Sequence, residues 1–249
     1  LLYREIVVHV AVGVAVSGRC AMSIYCYNSS ANKGKCTQVG RRSYKVTDID
    51  TGKELVIDND YRMSPKDLCT IGMLDKIIDS GAKILKIEGR GRPPEYVDTV
   101  VTSYKEAIQS IIDNSYTQDK IDNWNKRLKT VFNRGLSTGM YMGREWDEWA
   151  KGDGNQASKE KILVGKVLNY YPKANVVYIK ILGNEIIKEG DEYLITGEKT
   201  GLSKGTFKNM MLDDKKLKEV KQGESFTMKI KDTVRRNDDV YLFRDRTTL

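Results

Sequence analysis

One segment near the start of the chain constrains the fold more than any other. Residues 5–17, EIVVHVAVGVAVS, form a nearly unbroken run of apolar and β-branched side chains. Such a run is typical of a strand that is buried on both faces of a parallel sheet, and it is too short to span a bilayer. No basic segment with a cleavage site precedes it. The run therefore predicts an α/β domain in a soluble, cytoplasmic protein.

The segments after this run predict a βα unit. Residues 43–58 alternate as a β-hairpin does, residues 64–80 have the apolar spacing of a helix, and residues 82–90 have the composition of a second strand. A strand, a helix and a strand in this order form a right-handed unit of a parallel sheet. Cys69 falls in the first turns of the predicted helix, where the helix dipole would lower the pKa of its thiol.

The second predicted strand ends in three charged residues. Lys86, Glu88 and Arg90 alternate with apolar residues and glycine, so they share one face. Because ligands collect at the carboxyl ends of strands in barrels and doubly wound sheets, these three are candidate catalytic residues. The alternative is a strand end whose charges are hydrated by solvent.

The residues after position 92 have two further sequence patterns. Residues 93–160 contain two helical segments followed by a stretch rich in glycine and polar residues, and residues 161–249 contain short strands separated by glycine-bearing turns. The latter pattern predicts a small antiparallel β-barrel with a binding or docking role. Three segments are therefore expected: a partial barrel over 1–92, a helical linker over 93–160 and the small barrel over 161–249.

The charge balance favours an anionic partner. The chain has 42 Lys and Arg against 34 Asp and Glu, which gives a net charge of +8. Each basic side chain placed on a phosphate releases counterions, so a surplus of this sign favours nucleic acid. A solvated, lysine-rich surface is the alternative.

The four cysteines are the residues of the chain that most favour metal binding or redox chemistry. Cys20, Cys26, Cys36 and Cys69 are separated by five, nine and thirty-two residues. Uneven spacing in a chain without an export signal favours metal or redox use over a disulfide framework. The spacing is compatible with an iron–sulfur cluster held by thiolates, and buried or unused thiols are the alternative.

One histidine, His9, limits the hydrolytic mechanisms that the chain can support. A zinc site with two histidines is excluded by this count. Any pairing of a cysteine or serine nucleophile with histidine would need His9, which lies in the predicted buried strand. His9 is either a hydrogen-bonded core residue or part of the lining of a site.

An ordered set of motifs resembles the collagenase-like peptidase family U32. The motifs are HVAVGVAVSGRCAMS, NKGKCTQ with RRSY, MSPKDLC, ILKIEGR with EYV, and FNRG with STG. The segment VGKVLNYYPKANVVYIKI is similar to the small C-terminal barrel of many members, which resembles domain 2 of translation elongation factors. The resemblance implies the C-terminal part of a TIM-type (β/α) barrel, whose N-terminal half would lie upstream, followed by accessory domains.

The resemblance also implies a chemistry. Several members resemble iron–sulfur-dependent hydroxylases, and one subgroup makes 5-hydroxyuridine at the wobble position of tRNA with prephenate as co-substrate. In such relatives four cysteines hold a [4Fe-4S] cluster. The matching positions here are Cys20, Cys36 and Cys69, which are the predicted ligands of the cluster.

Two positions depart from the family pattern. A cysteine expected seven residues before Cys20 is replaced by Gly13, and a Pro-Cys pair after the GKC motif is replaced by Val39 and Gly40. Cys26 has no counterpart in the pattern. These departures leave a cluster with three thiolates, or none, as the alternatives to a complete one.

The predicted pocket joins these features. Arg19, His9, Lys86, Glu88 and Arg90 would line it beside the cluster, with Glu88 as a general base. The arginine fork suits a carboxylate such as that of prephenate.

Asn133 and Arg134 in the FNRG motif would bind substrate, and the basic barrel would bind the tRNA backbone. No membrane or DNA partner is expected. A peptidase and a catalytically inactive RNA-binding module are the alternative functions.

Overall fold

The computed structural model describes residues 3–12, 20–33, 35–37, 39, 42, 44–57, 65–143, 150, 154–213 and 215–247. Arg19, Gly13 and Gly40, which the sequence analysis singles out, lie outside these ranges, as does Ser64 at the start of the predicted helix. The chain divides into two compact units, Leu1–Arg92 with Thr99–Ala157, and Pro93–Asp98 with Ser158–Leu249. Most of the segment predicted as a linker therefore folds within the first unit.

The described residues up to Ala157 contain six strands and four α-helices. In chain order they are β1 (Arg4–Val10), α1 (Ala21–Tyr27), β2 (Tyr44–Thr47), β3 (Glu54–Ile57), β4 (Asp67–Cys69), α2 (Leu74–Asp79), β5 (Ala82–Ile87), α3 (Pro94–Ile112), α4 (Gln118–Leu128) and β6 (Leu136–Ser137). β2 and β3 form the predicted hairpin. Neither α3 nor any other helix in the described ranges is long and apolar enough to cross a membrane.

The sheet of the first unit is mixed and has the order β5-β1-β4-β6. β1 pairs with β5 in parallel, as the predicted βα unit requires, and with β4 in antiparallel orientation. Consecutive residues Val8 and His9 point to opposite faces and are both buried, so the strand is covered on both sides at this point. The TIM-type barrel inferred from the family resemblance stays a prediction.

The helix predicted over residues 64–80 is wrong in its first half. Asp67–Cys69 form β4, a 3-10 turn follows over Ile71–Met73, and α2 begins only at Leu74. All three residues of β4 are buried, and they pair with β1 on one side and β6 on the other. Sheet pairing and burial therefore override the local helical spacing, and Cys69 is not at a helix start.

The two long helices of the first unit follow the predicted apolar period. Val100, Tyr104 and Ala107 are buried along one face of α3, and α4 buries Ile121, Trp124 and Leu128. Pro94 occupies the first helical position. A backbone N–H has no acceptor within the helix at this position, so proline costs no hydrogen bond there.

The described part of the second unit contains ten strands, eight of which form one antiparallel sheet. Its ten strands are β7 (Lys159–Tyr171), β8 (Val176–Ile181), β9 (Ile187–Lys188), β10 (Glu192–Gly197), β11 (Gly201–Thr206), β12 (Met210–Leu212), β13 (Lys215–Leu217), β14 (Glu219–Val220), β15 (Ser225–Lys229) and β16 (Asp239–Asp245). The sheet has the order β11-β10-β16-β7-β8-β15-β12-β13, and β9 pairs with β14.

One hydrophobic core is shared by strands near both ends of this order. Ile195 of β10 and Met210 of β12 belong to the same buried cluster as Val177 of β8. Phe207 lies between them, with its ring 5.2 Å from Tyr193 and 5.9 Å from Phe226. Because strands that are distant in the order contact one core, the sheet curves around it. Closure into the predicted barrel stays a prediction.

Gly165 allows β7 to pass close to β8. A Cβ at this position would lie 2.2 Å from the carbonyl oxygen of Lys180. We expect Gly165→Ala to destabilise the second unit by about 2 kcal/mol, since relieving such overpacking requires a backbone shift. Urea unfolding of the full chain, followed by hydrogen exchange at β7 and β8, measures the loss.

Gly72→Ala is the control for this prediction. A Cβ at Gly72 would meet Ile121 at 3.6 Å, an ordinary contact distance, and the backbone there does not have a positive φ. An equal loss of stability in both variants would show that the close approach of β7 to Lys180 is not the cause of the loss in Gly165→Ala.

Candidate functional site

A buried carboxylate lies at the start of β4. Asp67 is 1% exposed, and its backbone N–H donates to the carbonyl oxygen of Gly135 at 2.9 Å. The guanidinium Nη2 of Arg134 donates to its Oδ1, and the backbone N–H of Arg134 donates to its Oδ2 at 3.2 Å. Asp67 therefore joins β4 to the turn that precedes β6.

The FNRG motif forms the turn that directs Arg134 to Asp67. Asn133 is buried; its Nδ2 donates to the carbonyl oxygen of Val131 at 2.9 Å, and its Oδ1 accepts from Gly135 N–H at 3.1 Å. Gly135 has a φ of +86°, a conformation that glycine adopts at little cost. The structure thus places the predicted substrate-binding residue Asn133 in the hydrogen bonds of its own turn.

A second guanidinium lies close to Asp67. Nη2 of Arg92 is 4.0 Å from Oδ2 of Asp67, and its side chain is 11% exposed. The Arg92 guanidinium stacks over the ring of Phe132 with 4.1 Å to the ring centre, a cation–π contact. We call Asp67, Arg92, Phe132 and Arg134 the arginine cluster.

A second buried group lies around the hydroxyl of Tyr104. This hydroxyl donates to the carbonyl oxygen of Val8 at 2.8 Å and accepts from Thr70 N–H at 3.0 Å. It is also 3.5 Å from Nδ1 of His9 and 3.8 Å from Sγ of Cys69. His9 and Cys69 are paired across β1 and β4.

Burial holds all three titratable side chains of this group neutral. It lowers the pKa of His9 to about 4, with the positive charge of Arg92 as a second cause. Burial also raises the pKa of Tyr104 well above its usual value and raises the pKa of the Cys69 thiol. The expectation that a helix dipole lowers the pKa of Cys69 is therefore wrong, because Cys69 lies in a buried strand. A thiol with a raised pKa is a poor nucleophile.

The neutral state of His9 predicts a pH dependence of stability. As the pH falls from about 6.5 to about 4, the unfolded chain binds a proton that the folded chain excludes, so stability is lost across this window. The loss reaches about 3 kcal/mol, since each pKa unit corresponds to roughly 1.4 kcal/mol. Urea unfolding across this pH range measures it.

His9→Asn is the comparison for this prediction. Asparagine does not titrate, so the variant should lose less stability between neutral and acidic pH than the parent, whatever its absolute stability. Identical pH profiles for the two proteins would show that His9 is not the group responsible.

Two thiols meet at Ser23 on α1. The Ser23 hydroxyl donates to Sγ of Cys20 at 3.1 Å and lies 3.8 Å from Sγ of Cys36 and 2.9 Å from the hydroxyl of Thr37. Ser23 is fully buried, whereas Cys20 is partly exposed and Cys36 is exposed. We call Cys20 and Cys36 the thiol pair.

The surroundings of Cys20 stabilise its thiolate. The hydrogen bond from the Ser23 hydroxyl lowers the pKa of Cys20, with the Ser23 backbone N–H as the next cause, and Cys36 contributes. Cys26 is exposed, lies farther along α1, and is described without a disulfide partner, like the other cysteines. Cys20, which accepts from Ser23 beside Cys36, is thus a candidate reactive thiol.

The lowered pKa of Cys20 predicts a difference in reactivity. We expect Ser23→Ala to slow alkylation of Cys20 by iodoacetamide near neutral pH, because the thiolate loses its hydrogen-bond donor and each unit of pKa changes the thiolate fraction about tenfold. Mass spectrometry of tryptic peptides follows the rate. Cys26 serves as the internal control, and a rate that changes equally at Cys20 and Cys26 would contradict the assignment to Ser23.

A [4Fe-4S] cluster is held by four thiolates. The described residues supply two adjoining thiols, while Cys69 is buried with Tyr104 and has a raised pKa. No group of three or more His, Cys, Asp or Glu residues with the geometry of a metal site occurs within the described ranges. The described residues therefore do not by themselves bring together the four thiolates of a complete cluster.

The charged triplet at the end of β5, Lys86, Glu88 and Arg90, is not gathered into one site. Lys86 forms a cross-strand ion pair with Glu5 at 3.3 Å, in which both side chains are at least half exposed. Arg90 is exposed in the turn that follows, whereas Glu88 is partly buried and its backbone N–H donates to the carbonyl oxygen of His9 at 2.9 Å. Of the triplet, only Glu88 lies directly beside the buried group.

Sequence reasoning missed Asp67, Arg92 and Tyr104. Arg92 follows Arg90 by two residues in the same strand-end loop, and this proximity was the available signal. Asp67 falls within the helix predicted over residues 64–80, and Tyr104 falls within the helical segments predicted over residues 93–160. Their roles depend on which strands pair, which the sequence pattern did not specify.

Comparison with known proteins identifies the family. A sequence model of peptidase family U32 matches residues 2–151. The chain belongs to peptidase family U32. The matched U32 region includes the residues of the arginine cluster, the buried group and the thiol pair.

The relatives of this U32 chain include a protein named as a collagenase and a protein named for tRNA hydroxylation. It is 41% identical over 242 residues to a collagenase of Porphyromonas gingivalis, covering 97% of this chain and 58% of the relative. It is 32% identical over 193 residues to tRNA hydroxylation protein P1 of Bacillus subtilis, covering 76% of this chain and 45% of the relative.

A third relative is a 23S rRNA 5-hydroxycytidine synthase of Escherichia coli, which is 35% identical over 109 residues, 44% of this chain and 16% of the relative. The chain thus spans about half the length of the first two relatives, 58% and 45%.

Proposed function

We propose that this U32 protein acts in the hydroxylation of pyrimidine bases in RNA, with the wobble uridine of tRNA as substrate and 5-hydroxyuridine as product. Support comes from the relatives named for hydroxylation of tRNA and for synthesis of 5-hydroxycytidine in rRNA. The net charge of +8 suits an RNA partner, since phosphate contacts depend on Lys and Arg.

The burial of the single histidine, His9, is the observation that favours RNA hydroxylation over peptide hydrolysis. A cysteine or serine peptidase needs a base that accepts the proton of its nucleophile. His9 is 2% exposed and its pKa is lowered to about 4. Its neighbouring thiol, Cys69, is buried with a raised pKa, and the hydroxyl of Ser23, not an imidazole, stabilises the accessible Cys20. This arrangement favours a reaction that does not use a thiol–imidazole pair.

In the proposed reaction the chain contributes two kinds of group. The thiol pair offers a reactive sulfur site that solvent reaches, because Cys20 is partly exposed and Cys36 is exposed. The second unit offers exposed lysines, among them Lys215 and Lys216 on β13, for contacts with RNA phosphates. Prephenate stays the predicted co-substrate, as the family resemblance implies.

Mass spectrometry of tRNA tests the proposed function. A strain that lacks the gene should lose wobble 5-hydroxyuridine, and expression of the wild-type protein should restore it. We expect Cys20→Ser to restore at least about tenfold less of the modification, because serine has no low-pKa thiolate. Cys26→Ser is the matched control and should restore it fully. Unchanged 5-hydroxyuridine in the deletion strain would exclude this function.

The iron–sulfur cluster predicted at Cys20, Cys36 and Cys69 stays a prediction with its own test. Iron and acid-labile sulfide are measured in protein that is purified without oxygen. Cys69→Ser separates the ligand sets, since a cluster that uses the buried thiol loses iron in this variant, whereas one bound through the thiol pair retains it.

A peptidase is the second candidate, because the relative that is 41% identical is named a collagenase. Digestion of gelatin and of casein by the purified chain measures this activity. Cleavage that persists in both Cys20→Ser and His9→Asn would show a hydrolytic mechanism other than a thiol–imidazole pair. RNA binding without either activity would support the inactive RNA-binding module.

A further inference from the structure

The thiol pair, Cys20 and Cys36, meets at one buried hydroxyl. The Ser23 hydroxyl donates to Sγ of Cys20 at 3.1 Å and lies 3.8 Å from Sγ of Cys36. The two sulfurs are therefore within about 7 Å of each other, compared with about 2 Å in a disulfide bond. Both cysteines are reduced in the structure. The fold thus brings together two thiols that are separated along the chain.

Ser23 also holds the backbone beside Cys36. Its Oγ accepts the backbone N–H of Thr37 at 3.1 Å and lies 2.9 Å from the Thr37 hydroxyl. Residues 35–37 have no regular secondary structure, and Cys20 directly precedes the first residue of α1. Neither cysteine lies inside a helix or strand, so rotation of the side chains and a small shift of the loop can close the gap between the sulfurs.

The two thiols are open to a reagent in solvent. Cys20 is partly exposed and Cys36 is exposed, whereas Cys69 is 7% exposed and contacts Tyr104. Cys26 is exposed but lies within α1, away from the hydroxyl at which the thiol pair meets. Access and proximity coincide at Cys20 and Cys36 among the four cysteines.

We propose that Cys20 and Cys36 form a redox-active pair that closes reversibly to a disulfide by exchange with a small disulfide such as oxidised glutathione. A [4Fe-4S] cluster needs four thiolates, and the described residues bring only these two together. Two adjoining thiols that solvent reaches are what thiol–disulfide exchange requires.

The exchange takes two steps. In the first, the thiolate of one cysteine attacks a sulfur of oxidised glutathione, so a protein–glutathione disulfide forms and one glutathione leaves. In the second, the thiolate of the other cysteine attacks the protein sulfur of this mixed disulfide, and the second glutathione leaves. The two protein thiols lose two electrons and two protons, which reduce one glutathione disulfide to two glutathione thiols.

The proposal rests on the thiol pair and not on the proposed function. Disulfide formation is measured on the purified chain, and wobble 5-hydroxyuridine is measured separately in cells. Failure of one therefore leaves the other standing. If both hold, oxidation removes the Cys20 thiol and reversibly stops the reaction on RNA.

Equilibration with glutathione tests the proposal. The full chain is reduced with dithiothreitol, desalted without oxygen, and incubated at several ratios of reduced to oxidised glutathione. Acid quenching, alkylation and intact-mass measurement then count the remaining thiols. We expect two thiols to disappear together, with an effective concentration of one thiol at the other of about 100 mM or more, whereas a flexible linker gives values in the mM range.

Peptide mapping and cysteine variants assign the bond. Trypsin cleaves after Arg19, Lys33, Lys35 and Arg41, which places Cys20 and Cys26 on one peptide and Cys36 on another. Cys26→Ser is the matched control and should form the linked peptides as the wild type does. Cys20→Ser and Cys36→Ser should each stop at the mixed disulfide with glutathione.

Ser23→Ala tests the role of the shared hydroxyl in positioning. It removes the group that holds both sulfurs and Thr37, so the effective concentration should fall at least about threefold. Ser110→Ala is its control, because Ser110 is also buried but its hydroxyl bonds to Ser115 and Lys120. This variant should leave the effective concentration unchanged.

Three outcomes would overturn the proposal. They are an effective concentration of about 10 mM or lower in the wild type, a linkage that depends on Cys26, and bound iron that protects both thiols from oxidised glutathione. Thermal unfolding of the reduced variants checks the fold. If Ser23→Ala does not fold, the three cysteine variants decide the question. An effective concentration in folded Ser23→Ala equal to that of the wild type would remove Ser23 from the proposal.

Discussion

The pairing of β1 with a strand on each side is the interaction on which the rest of the first unit depends. β5 binds one edge of β1 in parallel and β4 binds the other in antiparallel orientation. This arrangement buries both faces of β1 at Val8 and His9, which removes the imidazole from water and keeps it neutral. It also fixes Cys69 opposite His9 and brings the start of β4 to the turn that carries Arg134. Changes in this pairing would move the buried group and the arginine cluster together.

The described part of the first unit separates its polar chemistry into three environments. Around Tyr104, burial suppresses the charge on each titratable neighbour, so the group is suited to holding strands together and not to proton transfer. At Asp67 the opposite holds, because arginine does not lose its charge on burial and two guanidinium groups remain positive there. The thiol pair differs from both, since a hydroxyl donor and exposure to solvent stabilise the thiolate of Cys20. Burial and hydrogen bonding, more than residue type, thus decide what each group can do.

The burial of His9 and Cys69 and the exposure of Cys20 help to choose between the activities for which U32 relatives are named. Relatives of this chain are named for collagen cleavage and for RNA hydroxylation, so the family alone does not choose between the two activities. The one histidine of this sequence, His9, is buried beside the buried thiol of Cys69, so it does not offer an accessible base to a thiol nucleophile. The accessible sulfur chemistry and the positive charge remain, and both are compatible with the proposed action on RNA.

The sequence by itself determined the family, the α/β character of the first unit, the hairpin and the antiparallel strands of the second unit, because these follow from local apolar periodicity and from ordered motifs. It also determined that only His9 could serve as an imidazole base. Tertiary structure decided that Asp67–Cys69 form a strand, since burial between two neighbouring strands outweighs local helical preference. It likewise decided that Cys20 and Cys36 meet at Ser23, while Cys69 is buried against Tyr104, and that Arg92 and Arg134 share one carboxylate. Contacts between residues far apart in the chain depend on packing, which no local pattern encodes.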